Sequence, residues 1–152
     1  MSYSPTAFNA IDEYTRLALR TDIETASPHR LILLLLDGAL DKIRAARTSM
    51  TRGNIAAKGS NITWAMSIID GLRASLNHER GGKIAANLDA LYDYMARTLV
   101  TANLHNDETK LVEVEKLLHE IRAGWKGIEA QVERGAPATI QNDLGATARI
   151  YG

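Results

Sequence analysis

Apolar residues recur at steps of three and four along most of this chain, and the pattern predicts helices in four successive segments, about 28–52, 55–80, 83–105 and 108–134. In the last of these, Leu111, Val114, Leu118, Ile121, Trp125, Ile128 and Val132 form an unbroken seam. Ile84, Leu88, Leu91, Met95, Leu99 and Ala102 predict the buried stripe of the third, and Ile62, Ala65, Met66, Ile69, Leu72 and Leu76 a wider stripe in the second. No stretch shows sustained period-two alternation, so no strand is expected.

The first segment is different. Leu31 to Leu36 are six consecutive large aliphatic residues, and at about 100° per residue they pass all the way round a helix. Ile32, Leu36, Ala39, Ile43, Ala46 and Met50 cluster on one side, which predicts the core face. Leu31, Leu34 and Gly38 fall near the opposite side, as a second short apolar stripe that needs a cover or a partner.

Helix boundaries are marked by punctuation. Ser27-Pro28 is an N-cap followed by proline at the first helical position. Arg52-Gly53-Asn54 closes one helix and opens the next, Arg80-Gly81-Gly82 is read as a second such turn, and the stretch from Leu104 to Asp107 as the third. Segments of roughly 25 residues, about 36–40 Å of helix each, joined by short turns predict antiparallel neighbours. The expected fold is all-α, an antiparallel four-helix bundle with a short N-terminal helical cap segment and a mobile C-terminal tail. Residues 1–135 would form one domain, with about 1–24 as the cap, where Phe8, Ile11 and Tyr14 have helical spacing. Residues 136–152, small and polar, would be the flexible tail.

Composition narrows the function classes. With 152 residues, one domain is expected. Eighteen basic and eighteen acidic residues balance to zero, so the electropositive footprint that nucleic acid requires is missing. The absence of cysteine removes thiolate metal sites and cysteine nucleophiles, and suits the cytoplasm. Neither a cleaved signal nor membrane insertion is expected, because the longest aliphatic run falls far short of the roughly 18 residues a membrane span takes.

Candidate chemistry is sparse. A carboxylate metal centre in a bundle needs inward Glu-x-x-His pairs, and none is present; Glu115 and His119 are four apart but lie on the flank of their seam. Neither a G-x-S-x-G elbow nor a phosphate-cradling glycine loop occurs, so neither an enzyme nor a cofactor is expected. Gly38, Gly59, Gly71, Gly124 and Gly127 lie inside helices, where each costs about 1 kcal/mol relative to alanine. Close helix–helix approach is the expected use for most of them.

The stretches Thr25-Ala26-Ser27-Pro28, Leu35-Leu36-Asp37-Gly38, Gly81 to Leu88, Leu91-Tyr92-Asp93-Tyr94-Met95, Ala102-Asn103, Asn106-Asp107 and Glu113-Val114, leading to Arg122 and Trp125, occur in an order and spacing that resemble the flagellar secretion chaperone family FliS. The resemblance runs from Tyr14 to about Trp125. It implies an export chaperone that binds the disordered C-terminal segment of flagellin in the cytoplasm, prevents premature polymerisation and delivers the subunit to the flagellar export apparatus, with no cofactor. Candidate partner contacts are Tyr14, Leu31, Leu34, Leu35, Gly38, Asn87, Tyr92, Tyr94 and Asn103. On the third helix Tyr92 flanks the seam, which predicts a core-edge ring with a wet hydroxyl, whereas Tyr94 points away from it. Weak homodimerisation, a purely structural or self-associating bundle, and a carboxylate-bridged metal enzyme are the alternatives that the residues alone leave open.

Overall fold

The structure is a computed structural model that describes residues 27–133, with side chains described as far as Gly127. Phe8, Ile11, Tyr14, the expected cap over 1–24 and the expected tail over 136–152 lie outside the described residues. Four helices follow one another: α1 (Pro28–Thr51), α2 (Ile55–Ala74), α3 (His78–His105) and α4 (Glu108–Glu133). The described residues form the expected all-α four-helix bundle.

The caps explain where each helix starts. Ser27 accepts a hydrogen bond from the Arg30 N–H at 3.1 Å, and Pro28 follows at the first position, where its missing N–H costs nothing. Gly53 takes a left-handed φ of 72° and Asn54 accepts from the Ala57 N–H, so α1 gives way to α2 within three residues. Asn106, at φ 54°, ends α3 with its N–H returned to the Ala102 carbonyl, and Asp107 accepts from the Thr109 N–H at 3.0 Å to open α4.

One boundary is corrected. The turn between α2 and α3 is at residues 75–77 and not at Arg80-Gly81-Gly82. Asn77 caps α3 by accepting from the Arg80 N–H at 2.9 Å, so a helical turn forms before the glycine pair. Gly82, at φ 51° and ψ −127°, then breaks α3 after that first turn and redirects it. The glycine pair is a kink because an asparagine cap lies upstream of it.

The helices form a ring in which α1 packs on α2 and α4, and α3 packs on α2 and α4. Partners run in opposite directions: Lys58 and Arg73 of α2 reach Asn103 and Asp89 of α3, while His29 and Arg47 of α1 reach Trp125 and Glu108 of α4. The core between them contains Ile32, Leu36, Ala39, Ile43 and Ala46 of α1, Ile62, Ala65, Ile68, Ile69 and Leu72 of α2, and Leu111, Val114, Leu118 and Trp125 of α4. Each aliphatic side chain sealed there contributes about 1.5–3 kcal/mol of transfer free energy. Met66, expected in the core, is half-buried, as are Met50, Leu88 and Ile121 against its margin.

In the first half of α3 the seam is one residue out of phase with expectation. Ile84 is 47% exposed while Ala85 is buried, and Leu91 is half-buried while Tyr92 is 0% exposed. The seam is Ala85, Leu88, Tyr92, Met95, Leu99 and Ala102, a strict alternation of three and four. Bulk misled the reading. Ala85 lets the kinked start of α3 lie close to its neighbours, and the tyrosine ring fills the space two turns further on.

The expected role of the mid-helix glycines also changes. A Cβ added at Gly124 or Gly127 would meet no atom within 4 Å, and one at Gly59 would meet only Asn103 Oδ1 at 3.9 Å. Close helix approach therefore does not explain these three, and nothing else in the structure does.

Two outcomes follow for stability. Gly124→Ala should raise it by about 0.5–1 kcal/mol, because the added methyl meets open space and helix propensity improves, whereas Gly82→Ala should lower it by about 1–2 kcal/mol through its left-handed φ; urea melts of both variants compare the two. Equal melts would remove the kink at Gly82 as a constraint.

The second outcome is a pH dependence. The Arg73 guanidinium, bonded to Asp89 at 2.7 Å, holds that carboxyl below the usual carboxylate range. A depressed folded-state pKa contributes stability above the unfolded value of about 3.9 and loses it as pH falls through the folded value. In the Arg73→Ala variant, Asp89 should titrate near its ordinary value by NMR, and the acid-side loss of stability should be smaller.

Candidate partner-binding surface

The four grooves on the outside of the ring differ in how they are closed. The α1–α4 groove is bridged along its length by polar contacts. Asp37 accepts from Arg122, Arg44 reaches Glu115 at 3.4 Å, and Arg47 reaches Glu115 at 2.8 Å and Glu108 at 3.2 Å. The hydrogen bonds that Arg47 donates to Glu115 and Glu108 hold its guanidinium further in its charged form. At the end of this groove His29 stacks on Trp125, with ring centroids 4.6 Å apart and planes 8° from parallel. The Trp125 indole N–H donates to the His29 carbonyl at 3.1 Å, and His29 Nε2 lies 2.8 Å from the Trp125 carbonyl, to which it donates.

The α2–α3 groove is tied at both ends. Arg73 joins Asp89 and Asp93 near the kink, at 2.7 and 3.0 Å. At the other end the Lys58 ammonium, on a residue only 5% exposed, donates to the Asn103 carbonyl at 2.9 Å and to Asn106 Oδ1 at 2.6 Å. Its charge lies at the negative end of the α3 dipole, which explains a buried ammonium satisfied by neutral acceptors. Across α3–α4, the Tyr94 hydroxyl donates to Glu113 at 2.7 Å.

The α1–α2 groove is closed by side-chain packing, with the Lys42 ammonium 5.4 Å from the centre of the Trp64 ring. Along its α1 side lie Leu31 and Leu34, both half-buried. Leu31 packs against the core margin. Leu34, on the far side of α1 from Leu36, keeps part of its surface in solvent.

The other sequence-derived candidates separate into three groups. Leu35, at 1% exposure, and Gly38 are buried, so the outer stripe is narrower than expected and consists of Leu31 and Leu34. Tyr92 is also in the core, which corrects the expectation of a wet hydroxyl at its edge. Asn87 and Tyr94 are exposed and Asn103 is half-buried, all on α3, diagonally across the ring from α1. Tyr14 lies outside the described residues. The α1 stripe and the α3 residues are therefore two patches on separate faces.

Glu115 and His119 lie on the flank of the α4 seam beside Arg44 and Arg47; His119 is exposed, while the Glu115 side chain is largely covered and its charge is matched by the two arginines. Among the described residues no three His, Cys, Asp or Glu side chains are grouped so as to hold a metal. No described helix is long and apolar enough to cross a membrane. Sequence reasoning missed Lys58, Trp64 and Arg73. Lys58 carries no signal, being one more cation on an amphipathic helix until the end of α3 is placed against it.

Comparison with known proteins places the sequence in a family. The family model described as flagellar protein FliS matches residues 10–132. The flagellar secretion chaperone FliSB of Pseudomonas aeruginosa is 46% identical over 122 residues, covering 80% of this chain and 97% of the relative. FliS of Salmonella typhimurium is 45% identical over 121 residues, covering 79% and 90%, and FliS of Vibrio cholerae 35% over 131 residues, covering 86% and 96%. With the family model matched over residues 10–132 and these relatives covered over nine-tenths or more of their own length, the chain belongs to the FliS family, which is a family of secretion chaperones and not of enzymes.

Proposed function

We propose that this protein is an export chaperone for flagellin, binding the subunit's C-terminal segment in the cytoplasm, preventing its premature polymerisation and handing it to the flagellar export apparatus. The observation that carries this reading is Leu34: a leucine that keeps part of its surface in solvent on a helix whose other side is fully packed. An aliphatic stripe of this kind, beside a groove closed by packing alone, suits a client segment that orders as an amphipathic helix when it docks. Burial of the client's apolar face drives association. The cost of ordering the client, several kcal/mol, offsets part of the gain and keeps the complex releasable.

The two separate patches fit the same reading. An extended client can cross from the Leu31–Leu34 stripe on α1 towards Asn87, Tyr94 and Asn103 on α3 only by wrapping around the bundle, which unfolded segments do readily.

Two substitutions two residues apart test it. Leu36→Asp strands a carboxylate in the core and should unfold the domain, whereas Leu34→Asp should keep the helical signal and cost no more than about 1–2 kcal/mol. Calorimetry with a flagellin C-terminal peptide should show near one-to-one binding to the wild-type protein with a negative heat-capacity change, and an affinity about tenfold or more lower for Leu34→Asp. A folded Leu34→Asp protein that binds the peptide normally would leave the stripe without a function, and a wild-type protein that does not bind it would remove the reading.

A further inference from the structure

The α1–α2 groove holds a feature that the aliphatic stripe does not account for. Trp64 lies in the middle of α2 and is half-buried, yet its indole N–H is shut away from solvent and has no acceptor among the described residues. A buried donor without a partner is a burden on the fold, and phenylalanine would fill most of the same space without it. Trp125 shows the ordinary arrangement, its N–H bonded to the His29 carbonyl.

Facing Trp64 across the groove is Lys42 of α1. It is half-buried, lies over the indole ring, and has no carboxylate partner among the described residues. Other cations bordering the grooves of this bundle, Arg44, Arg47, Arg73 and Arg122, are paired with carboxylates. An unanswered N–H donor beside an unanswered ammonium is the complement of an acceptor-only anion.

We propose that Trp64 and Lys42 together form a receptor for a side-chain carboxylate on the segment that occupies the α1–α2 groove, an inference that rests on the chaperone reading above. The indole N–H donates one hydrogen bond to the carboxylate and the lysine supplies the opposite charge. Both residues lie near the middle of their helices, so a segment laid along the groove presents its interior to them and not its end, which selects an aspartate or glutamate over a chain terminus. Lys42 is held over the ring by a cation–π contact alone, which is weak at a partly exposed position. On this proposal Lys42 moves off the ring as the segment docks, which carries the ammonium to the incoming carboxylate and opens a path to the indole N–H.

The test is calorimetric titration of the full-length protein with a synthetic flagellin C-terminal peptide, made as the natural sequence, with its Asp and Glu residues changed to Asn and Gln, and as the C-terminal amide. Trp64→Phe should melt at the wild-type temperature or above, since it removes an unsatisfied donor, yet bind the natural peptide about tenfold more weakly. Lys42→Met should weaken binding similarly, most at low salt, and the double variant should lose less than the product of the two. The neutralised peptide should bind the wild-type protein and Trp64→Phe alike, and the amide should bind as the natural peptide does. Natural peptide bound equally by wild type and Trp64→Phe would overturn this inference and leave the chaperone reading standing. A loss confined to the amide would overturn the side-chain assignment, and no binding to the wild-type protein would overturn both proposals.

Discussion

Helix α1 turns aliphatic side chains to every side between Leu31 and Leu36, and the other three helices are arranged around that constraint. Six aliphatic residues in succession need cover on more than one flank. α2 supplies it on one side and α4 on the other, so Ile32, Leu33, Leu35 and Leu36 are all buried in a protein of ordinary composition. α3 never packs extensively on α1. It completes the ring by bridging α2 and α4, which is why its own seam is the narrow strict one, from Ala85 to Ala102.

The exterior follows from the same asymmetry. Where α1 meets α4 the boundary is held by arginines and carboxylates, and such pairs fix register more than they add stability, since exposed ion pairs contribute about 0–1 kcal/mol each. Where α1 meets α2 the boundary is apolar packing and one lysine above an indole. Charges already paired across a groove resist a competitor, because a partner must replace each interaction it breaks. An aliphatic border asks for no such exchange, so the least polar groove is also the one that most readily accepts another helix.

Most of this was legible in the sequence, and the exceptions have physical causes. Ser27-Pro28, Asn54 and Asp107 announced their helices because a capping side chain sits next to the backbone it satisfies, within three residues. Periodicity placed the second half of α3 correctly and failed in the first half, where alanine and tyrosine hold the seam positions and isoleucine and leucine stand beside them. Hydrophobic bulk reports which residues prefer burial, but a kink at Gly82 decides which ones the helix turns inward. Of the proposed contacts, Leu31 and Leu34 were separable from the core by angle alone, whereas Leu35 and Gly38 were not, since burial there depends on how near the neighbouring helices come. The Lys58 cap and the Trp64–Lys42 pair are properties of tertiary structure: each joins residues from different helices, and no local spacing encodes them.

The mutual bonding of His29 and Trp125 has a consequence for how the protein is made. These residues lie 96 positions apart, so the pair that fastens the first turn of α1 to α4 joins almost the two ends of the described chain. Helical bundles generally fold fast because their contacts are local, but this ring closes only when its first and last helices meet. During synthesis α1 leaves the ribosome long before α4 exists, and one flank of its leucine run has no neighbour until then. A nascent chain thus presents an unshielded apolar helix, and quick completion of α4 is what withdraws that surface from aggregation.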